Sequence, residues 1–228
     1  METNTKSEGY QLTQTIIRFP DLRLQTRDAH KLRGFFGNLF KEHSSLLHNH
    51  FDDGSLRYAY PLVQYKIIDK VPVLTGFQEG GKLLIDLFLK IKNLNIGGEE
   101  YIINAKNIEN KIIEFGPLLQ LFEYRFKTLW MALNQKNYPE YEKLKTQEAK
   151  IFFLNKQLQN NILSFYKGIG FRVQERIMVK GRFREKTTLF KNKKMLAFEG
   201  KFTSNAVIPD FAGIGKAVAR GFGTVVRD

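Results

Sequence analysis

Tyr58-Ala59-Tyr60-Pro61-Leu62-Val63-Gln64-Tyr65-Lys66-Ile67-Ile68-Asp69-Lys70-Val71-Pro72-Val73-Leu74-Thr75 decides the architecture of the first half of this chain. Tyr58 to Val63 and Tyr65 to Ile68 read as extended, and Asp69-Lys70-Val71-Pro72 breaks the run before Val73-Leu74-Thr75. These strands follow one another directly and are flanked on both sides by helical patterns. Upstream, Thr15-Ile16-Ile17-Arg18-Phe19 is a short β-type run stopped by Pro20-Asp21. A helix follows from about Arg27, with Ala29, Leu32, Phe35, Phe36, Leu39 and Phe40 at helical spacing and Asp28 or Thr26 as cap. Downstream, Gly80-Gly81 precede Leu83, Leu84, Leu87, Phe88 and Ile91. Ile85 and Leu89 make this second helix apolar on nearly all sides, which predicts heavy burial. Strands around Tyr101–Ala105 and Lys111–Phe115 close the half. The order βαββαβ is the ferredoxin-like split motif.

Gly116-Pro117 marks the expected boundary, dividing the chain into domains 1–116 and 117–228. Beyond it, Leu118 to Trp130 reads as a strand leading into a turn. A long helix is expected from Pro139, a residue suited to the first helical position, to just before Gly168. From Phe171 to the C-terminus the pattern has period two, with hairpin breaks near Glu185 and Asn192. The second half therefore also mixes a sheet with a helix, and the fold class is α+β.

The 228 residues carry 36 Lys+Arg against 23 Asp+Glu, a formal charge of +13. Such a surplus suggests a polyanionic partner, because each neutralised phosphate releases condensed counterions. Hydrophobic residues at 43% and aromatics at 13% supply packed cores, which excludes a disordered basic tail. The absence of cysteine removes disulfides and thiolate metal sites. The Met1-Glu2-Thr3-Asn4 start lacks a signal-sequence pattern, and no apolar run approaches the ~20 residues of a membrane span. A soluble, cytoplasmic protein without a membrane partner is the expectation.

Near the C-terminus, Gly213-Ile214-Gly215 and Gly221-Phe222-Gly223 frame five residues that include Lys216 and Arg220. Glycine tolerates positive φ and lets backbone N–H groups approach a ligand, so this loop is a candidate phosphate cradle. A turn that merely joins two elements is the plainer alternative. Arg172, Arg176, Lys180, Arg182, Arg184 and Lys186 all fall at even positions, so a strand here presents them on one sheet face. Residues 170–201 hold ten Lys+Arg and three Asp+Glu, a composition suited to a nucleic-acid backbone. Charged defence of an edge strand is the competing explanation.

Leu47-His48-Asn49-His50 places two histidines in the expected turn between the first helix and the second strand. Residues two apart in an extended segment face the same side, so both imidazoles can reach one substrate cluster. One neutral imidazole can deprotonate a ribose 2′-hydroxyl while an imidazolium protonates the departing 5′-oxygen. Surface loop histidines without a catalytic role remain the alternative. His48-x-His50-x-Asp52-Asp53 resembles a zinc-hydrolase loop, but no histidine remains downstream to complete a metal site. Gly76-x-x-x-x-Gly81-Lys82 resembles a P-loop, but Leu83 stands where Ser or Thr holds magnesium. No metal and no other cofactor is expected.

The glycine frame with Lys216 and Arg220 resembles the C-terminal signature of the CRISPR repeat-processing endoribonucleases. Leu47-His48-Asn49-His50, followed by Arg57 through Lys66, is similar to the branch of that family with a close histidine pair. The likeness runs from about Thr13 to the C-terminus. It implies two tandem ferredoxin-like (RRM-like) domains and metal-independent cleavage of precursor CRISPR RNA within each repeat, leaving a 5′-hydroxyl and a 2′,3′-cyclic or 3′ phosphate. It also implies His48 and His50 as the catalytic pair, assisted by a tyrosine for which Tyr58 and Tyr60 both qualify. Arg57 or a lysine of the basic window would stabilise charge on the scissile phosphate. On this reading the RNA is held by Arg57, the basic strand residues, Gly213, Gly215, Lys216, Arg220, Gly221 and Gly223. A non-catalytic RNA-binding subunit of a CRISPR effector complex is the rival. The sequence leaves open whether the protein forms a homodimer or joins such a complex.

Overall fold

The computed structural model describes residues 10–39, 60–191 and 193–228. His48, His50, Arg57 and Tyr58 lie outside the described residues. The first half builds a four-stranded antiparallel sheet from β1 (Tyr10–Arg18), β2 (Val63–Ile68), β3 (Val71–Phe77) and β6 (Asn107–Phe115), in the order β2-β3-β1-β6. Helix α1 (Ala29–Leu39) follows β1, and α2 (Glu79–Phe88) follows β3. This is the ferredoxin-like arrangement, with one addition. The strand expected at 101–105 is instead a separate hairpin, β4 (Asn93–Ile96) with β5 (Glu99–Ile102), inserted before the sheet's last strand.

The second half repeats the design. β7 (Pro117–Phe126), β8 (Val179–Phe190), β9 (Lys193–Ala206) and β10 (Val225–Arg227) pair in the order β10-β7-β9-β8, the same permutation as the first sheet. The helical segment between β7 and β8 divides into α3 (Tyr138–Glu142) and α4 (Gln147–Gly168), because the Thr146 hydroxyl accepts the Ala149 N–H and starts a new helix. Where the first half has α2, the second has only the glycine-framed segment and a 3-10 turn at Val218–Arg220. The fold is thus two tandem ferredoxin-like units, the second lacking one helix.

Three expectations need correction. α2 buries one stripe (Gly80, Gly81, Leu84, Leu87), while Ile85 is 41% exposed and Leu89, just past its end, 79%. Strand β8 begins only at Val179, so Arg172 and Arg176 lie off the strand. Their segment is tied instead to α4 and β9, with the Gln159 amide donating to Ile177 O and the Asn205 amide to Arg176 O. β8 also continues unbroken through Glu185, whose carboxylate accepts from the Tyr141 hydroxyl and pairs with Lys150.

The helix-facing side of the first sheet forms one core, from Ile17, Tyr65, Leu74, Leu32, Phe36 and Leu84 among others. Its other face is covered by the second half. Leu12 and Phe77 join Phe165 and Tyr166 of α4 in a core that continues through Trp130, Phe183 and Phe198. Phe165 sits 5.1, 5.7 and 5.8 Å from the rings of Tyr60, Phe77 and Phe115. Such pairs contribute ~0.5–1.5 kcal/mol each beyond their buried area, so α4 is a principal fastener of the two halves.

Gly76, Gly80 and Gly81 owe their identity to this packing. A Cβ on Gly76 would lie 2.6 Å from Gly80 O, and one on Gly80 2.5 Å from Leu62 O. The P-loop-like spacing therefore reflects close approach of α2 to the sheet.

Candidate nucleic-acid interface

The glycine-framed loop is built by short range. Ile214 N–H donates to Gly223 O at 2.8 Å, and Gly223 N–H donates to Leu129 O at 2.9 Å. A Cβ on Gly223 (φ +64°) would fall 2.0 Å from Ile214 O, and one on Gly215 (φ +102°) 2.7 Å from Trp130 Nε1. Only glycine combines those φ values with that contact. The amides of Gly213, Gly221 and Gly223 donate inside the protein, to Gln64 Oε1, Val218 O and Leu129 O. The cradle expected from glycine amides is thus largely spent on folding. What the loop offers a ligand is Lys216 and Arg220.

Both line a cleft of about 1420 Å³. Its cations are Arg33 from α1, Lys167 from the end of α4, Lys191 from the β8–β9 turn, Lys194 from the start of β9, and Lys216 and Arg220 from the loop. Among the described residues no Asp or Glu lines it, and none of the six has a carboxylate partner. Burial lowers the pKa of Lys216. It also lowers that of Arg220, with the neighbouring Arg33 charge as a second cause. Like charges crowded without counterions mark a site shaped for a polyanion. Apolar surface accompanies them: Tyr138 is 42% exposed, and Phe190 lies 5.3 Å beneath the Arg220 guanidinium with Phe222 edge-on at 6.0 Å. Aromatic faces beside cations are the surfaces on which unpaired bases stack.

Tyr60 and Pro61 form another part of the cleft wall. The Tyr60 hydroxyl is enclosed, donating to Gly213 O at 2.7 Å and accepting from the Gln64 amide, and burial raises its pKa. Gln64 Oε1 in turn accepts from Lys66 Nζ at 2.8 Å. Lys66 is fully buried between β2 and the second half, and desolvation lowers its pKa from 10.5 to about 7.

With this geometry established, comparison with known proteins gives the family. The profile of the Cas6b N-terminal domain matches residues 11–114, and that of the Cas6b C-terminal domain matches residues 118–227. The chain belongs to the Cas6b family. A crystal structure of Cas6b superposes with a TM-score of 0.90 at 36% identity, covering 96% of this chain and 100% of that one. A second, described as the CRISPR RNA processing endoribonuclease Cas6b, gives a TM-score of 0.78 at 33% identity with the same coverage. An uncharacterized protein of Methanocaldococcus jannaschii is 36% identical over 143 residues, which are 62% of this chain and 97% of that protein.

Within this Cas6b fold, the cations singled out from sequence in the loop and on β8 occupy two places, and Arg172 and Arg176 belong to neither. Gly215, Lys216 and Arg220 reach the cleft. Lys180, Arg182, Arg184 and Lys186 stand exposed on alternate positions of β8, with Lys186 paired to Glu199 at 3.2 Å. The same alternation leads along β8 to Phe190 at the cleft. Arg33, Lys167, Lys191 and Lys194 were not singled out. They come from α1, α4 and the β8–β9 hairpin, and only Lys191 and Lys194 fall in the basic window that the composition marked.

Proposed function

We propose that this Cas6b protein is a metal-independent endoribonuclease that cuts precursor CRISPR RNA within its repeats and so generates guide RNAs. The observation that carries this is a cationic cleft that no carboxylate lines among the described residues, set in a chain similar over 96% of its length to a structure described as a CRISPR RNA processing endoribonuclease. The cleft and the exposed cations of β8 take the phosphates. His48 and His50, in the sequence that leads into the cleft residue Tyr60, exchange protons with the ribose and the leaving group. The 2′-oxygen attacks the adjacent phosphorus as its proton passes to one imidazole. The P–O5′ bond breaks as the other imidazole protonates the 5′-oxygen, leaving a 2′,3′-cyclic phosphate and a 5′-hydroxyl. With the Tyr60 hydroxyl committed to Gly213, Tyr58 is the better candidate for the assisting tyrosine. Arg57 is assigned to charge on the phosphate. On this proposal domain 1–116 supplies the chemistry and domain 117–228 most of the RNA grip.

Repeat RNA from the CRISPR array of the same genome is the substrate to test. It should be cut in EDTA, while a single 2′-deoxy substitution before the cut site should leave RNA bound but intact. Cleavage that survives the deoxy substitution, or that requires Mg²⁺, refutes the mechanism. The His48→Ala, His50→Ala double variant should bind and not cut. Binding by the wild-type protein without turnover would instead identify an RNA-binding subunit of an effector complex.

A further inference from the structure

Gln64 of β2 and Tyr60, four residues before it, together bind both backbone groups of Gly213, a residue in the other half of the molecule. Its Oε1 accepts the Gly213 N–H at 2.9 Å, its Nε2 donates to the Tyr60 hydroxyl, and that hydroxyl donates to Gly213 O at 2.7 Å. These three bonds close a ring. The remaining capacity of the amide is also filled, by Lys66 Nζ at 2.8 Å and by Pro61 O at 3.3 Å. A primary amide has two acceptor and two donor positions, so Gln64 is saturated and can sit in only one orientation. It is fully buried, where an unmet polar bond costs ~1–3 kcal/mol, and this makes the orientation hard to change.

The ring lies at a mechanical junction. Tyr60 and Pro61 are cleft wall contributed by the first half, whereas Gly213 opens the loop that brings Lys216 and Arg220 to the same cleft. Gly213 itself admits no side chain here, since a Cβ would lie 2.6 Å from the Val218 Cβ and 2.9 Å from Gln64 Oε1. Close fit and saturated polarity thus hold one backbone unit in register with β2. The N–H and the carbonyl of one residue are thus captured by two linked side chains, Gln64 on the N–H and Tyr60 on the oxygen.

We infer that Gln64 and Tyr60 are positioning residues, which set the phosphate-binding loop against the opposite cleft wall so that bound RNA meets the reacting groups in a productive pose. This rests on the nuclease reading above. Loosening the ring removes none of the RNA-binding cations but lets the loop that carries two of them shift, so affinity should survive while alignment does not. A misplacement of ~1 Å in a reacting geometry costs about 100-fold in rate.

The test compares wild type with Tyr60→Phe, which keeps the ring packed on Phe165, and with Gln64→Met. If Gln64→Met does not fold, Gln64→Glu replaces it, because its carboxylate still accepts from Lys66 and Gly213 but cannot donate to Tyr60. Repeat RNA from the same genome is the probe, with Kd and single-turnover rate measured separately at 25 °C. Each variant should lose about 10–100-fold in rate with Kd within about threefold of wild type, and the double variant should lose no more than either alone. The pH dependence of the rate should keep its shape. Wild-type rates in both variants would overturn the inference. So would multiplicative losses with an altered pH profile in Tyr60→Phe alone, which would make Tyr60 a catalytic acid or base. A rise in Kd equal to the fall in rate would reduce the ring to RNA affinity. Failure of the wild-type protein to cleave at all would instead strike the nuclease reading.

Discussion

Replacing Lys66 by methionine should stabilise this protein, and the gain should fade as pH rises. The lysine is fully buried and its hydrogen bond goes to a neutral amide oxygen, while the like charge of Arg220 sits on the short helix packed against β2. Desolvation takes its pKa from 10.5 to about 7. At 1.36 kcal/mol per pH unit, that fall corresponds to about 5 kcal/mol, an upper bound because the seam relaxes around a charge. Between pH 7 and 10.5 the unfolded chain holds a proton that the folded protein has released, so wild-type stability climbs with pH across that window. Below pH 7 both states are protonated and the whole cost is felt. Methionine removes the titration and forfeits one hydrogen bond to Gln64, worth about 1 kcal/mol and independent of pH. The variant should therefore exceed wild type by up to ~4 kcal/mol at pH 6.5 and by about 1 kcal/mol at pH 9. Urea unfolding at several pH values measures both proteins, and subtraction cancels every other titrating group. A difference that stays flat from pH 6 to 9 would refute the reasoning, because it would mean that the ammonium keeps its charge inside the seam.

Three further outcomes are expected. Gly223→Ala puts a Cβ 2.0 Å from Ile214 O at φ +64°, so urea unfolding should show a loss of more than ~2 kcal/mol. A neutral result would mean the loop repacks freely. Replacing Lys216 and Arg220 together by alanine should flatten the plot of log Kobs for single-stranded repeat RNA against log salt by about 1.4, from ~0.7 per phosphate contact. An unchanged slope would take both cations out of the interface. The triple change of Lys180, Arg182 and Arg184 to alanine should weaken repeat and unrelated RNA by similar factors in filter binding, since cations on a sheet face hold phosphates and read no bases. A loss confined to the repeat RNA would show that this face carries specificity.

Much of the fold was legible because its signals are local. Asp69-Lys70 between two β-rich runs marks the β2–β3 turn, and both residues take positive φ there. Alternation placed Lys180, Arg182, Arg184 and Lys186 on one exposed face of β8. The cleft is another matter. Arg33, Lys167 and the loop cations meet only after α1, α4 and the glycine frame have been brought together, and no window contains their relation. Lys66 misleads for a related reason. Alternate polar residues on a strand signal a solvated face, yet Gln14, Gln64, Lys66 and Thr75 are all fully buried. The face they occupy is covered by the second half, where Gln14 donates to Asp210 O and Gln64 engages Gly213. A pattern of period two records which side of a strand is polar; it does not record what packs on that side.

That covered face bears directly on how RNA can be held. Ferredoxin-like RNA binders commonly stack bases on aromatic side chains of the open sheet face. Here the open face of the first sheet is spent on the seam between halves. The aromatic rings of the second sheet, Phe122, Tyr124, Phe126, Phe198 and Phe202, point into the core and leave the cations of β8 outside. Neither sheet therefore offers a stacking platform of the usual kind. Partly or wholly exposed aromatic surface beside cations occurs instead at the cleft, with Phe190 under Arg220 and Tyr138 in the same wall. On the function proposed above, contact with bases falls at the junction of the halves rather than on the sheet faces.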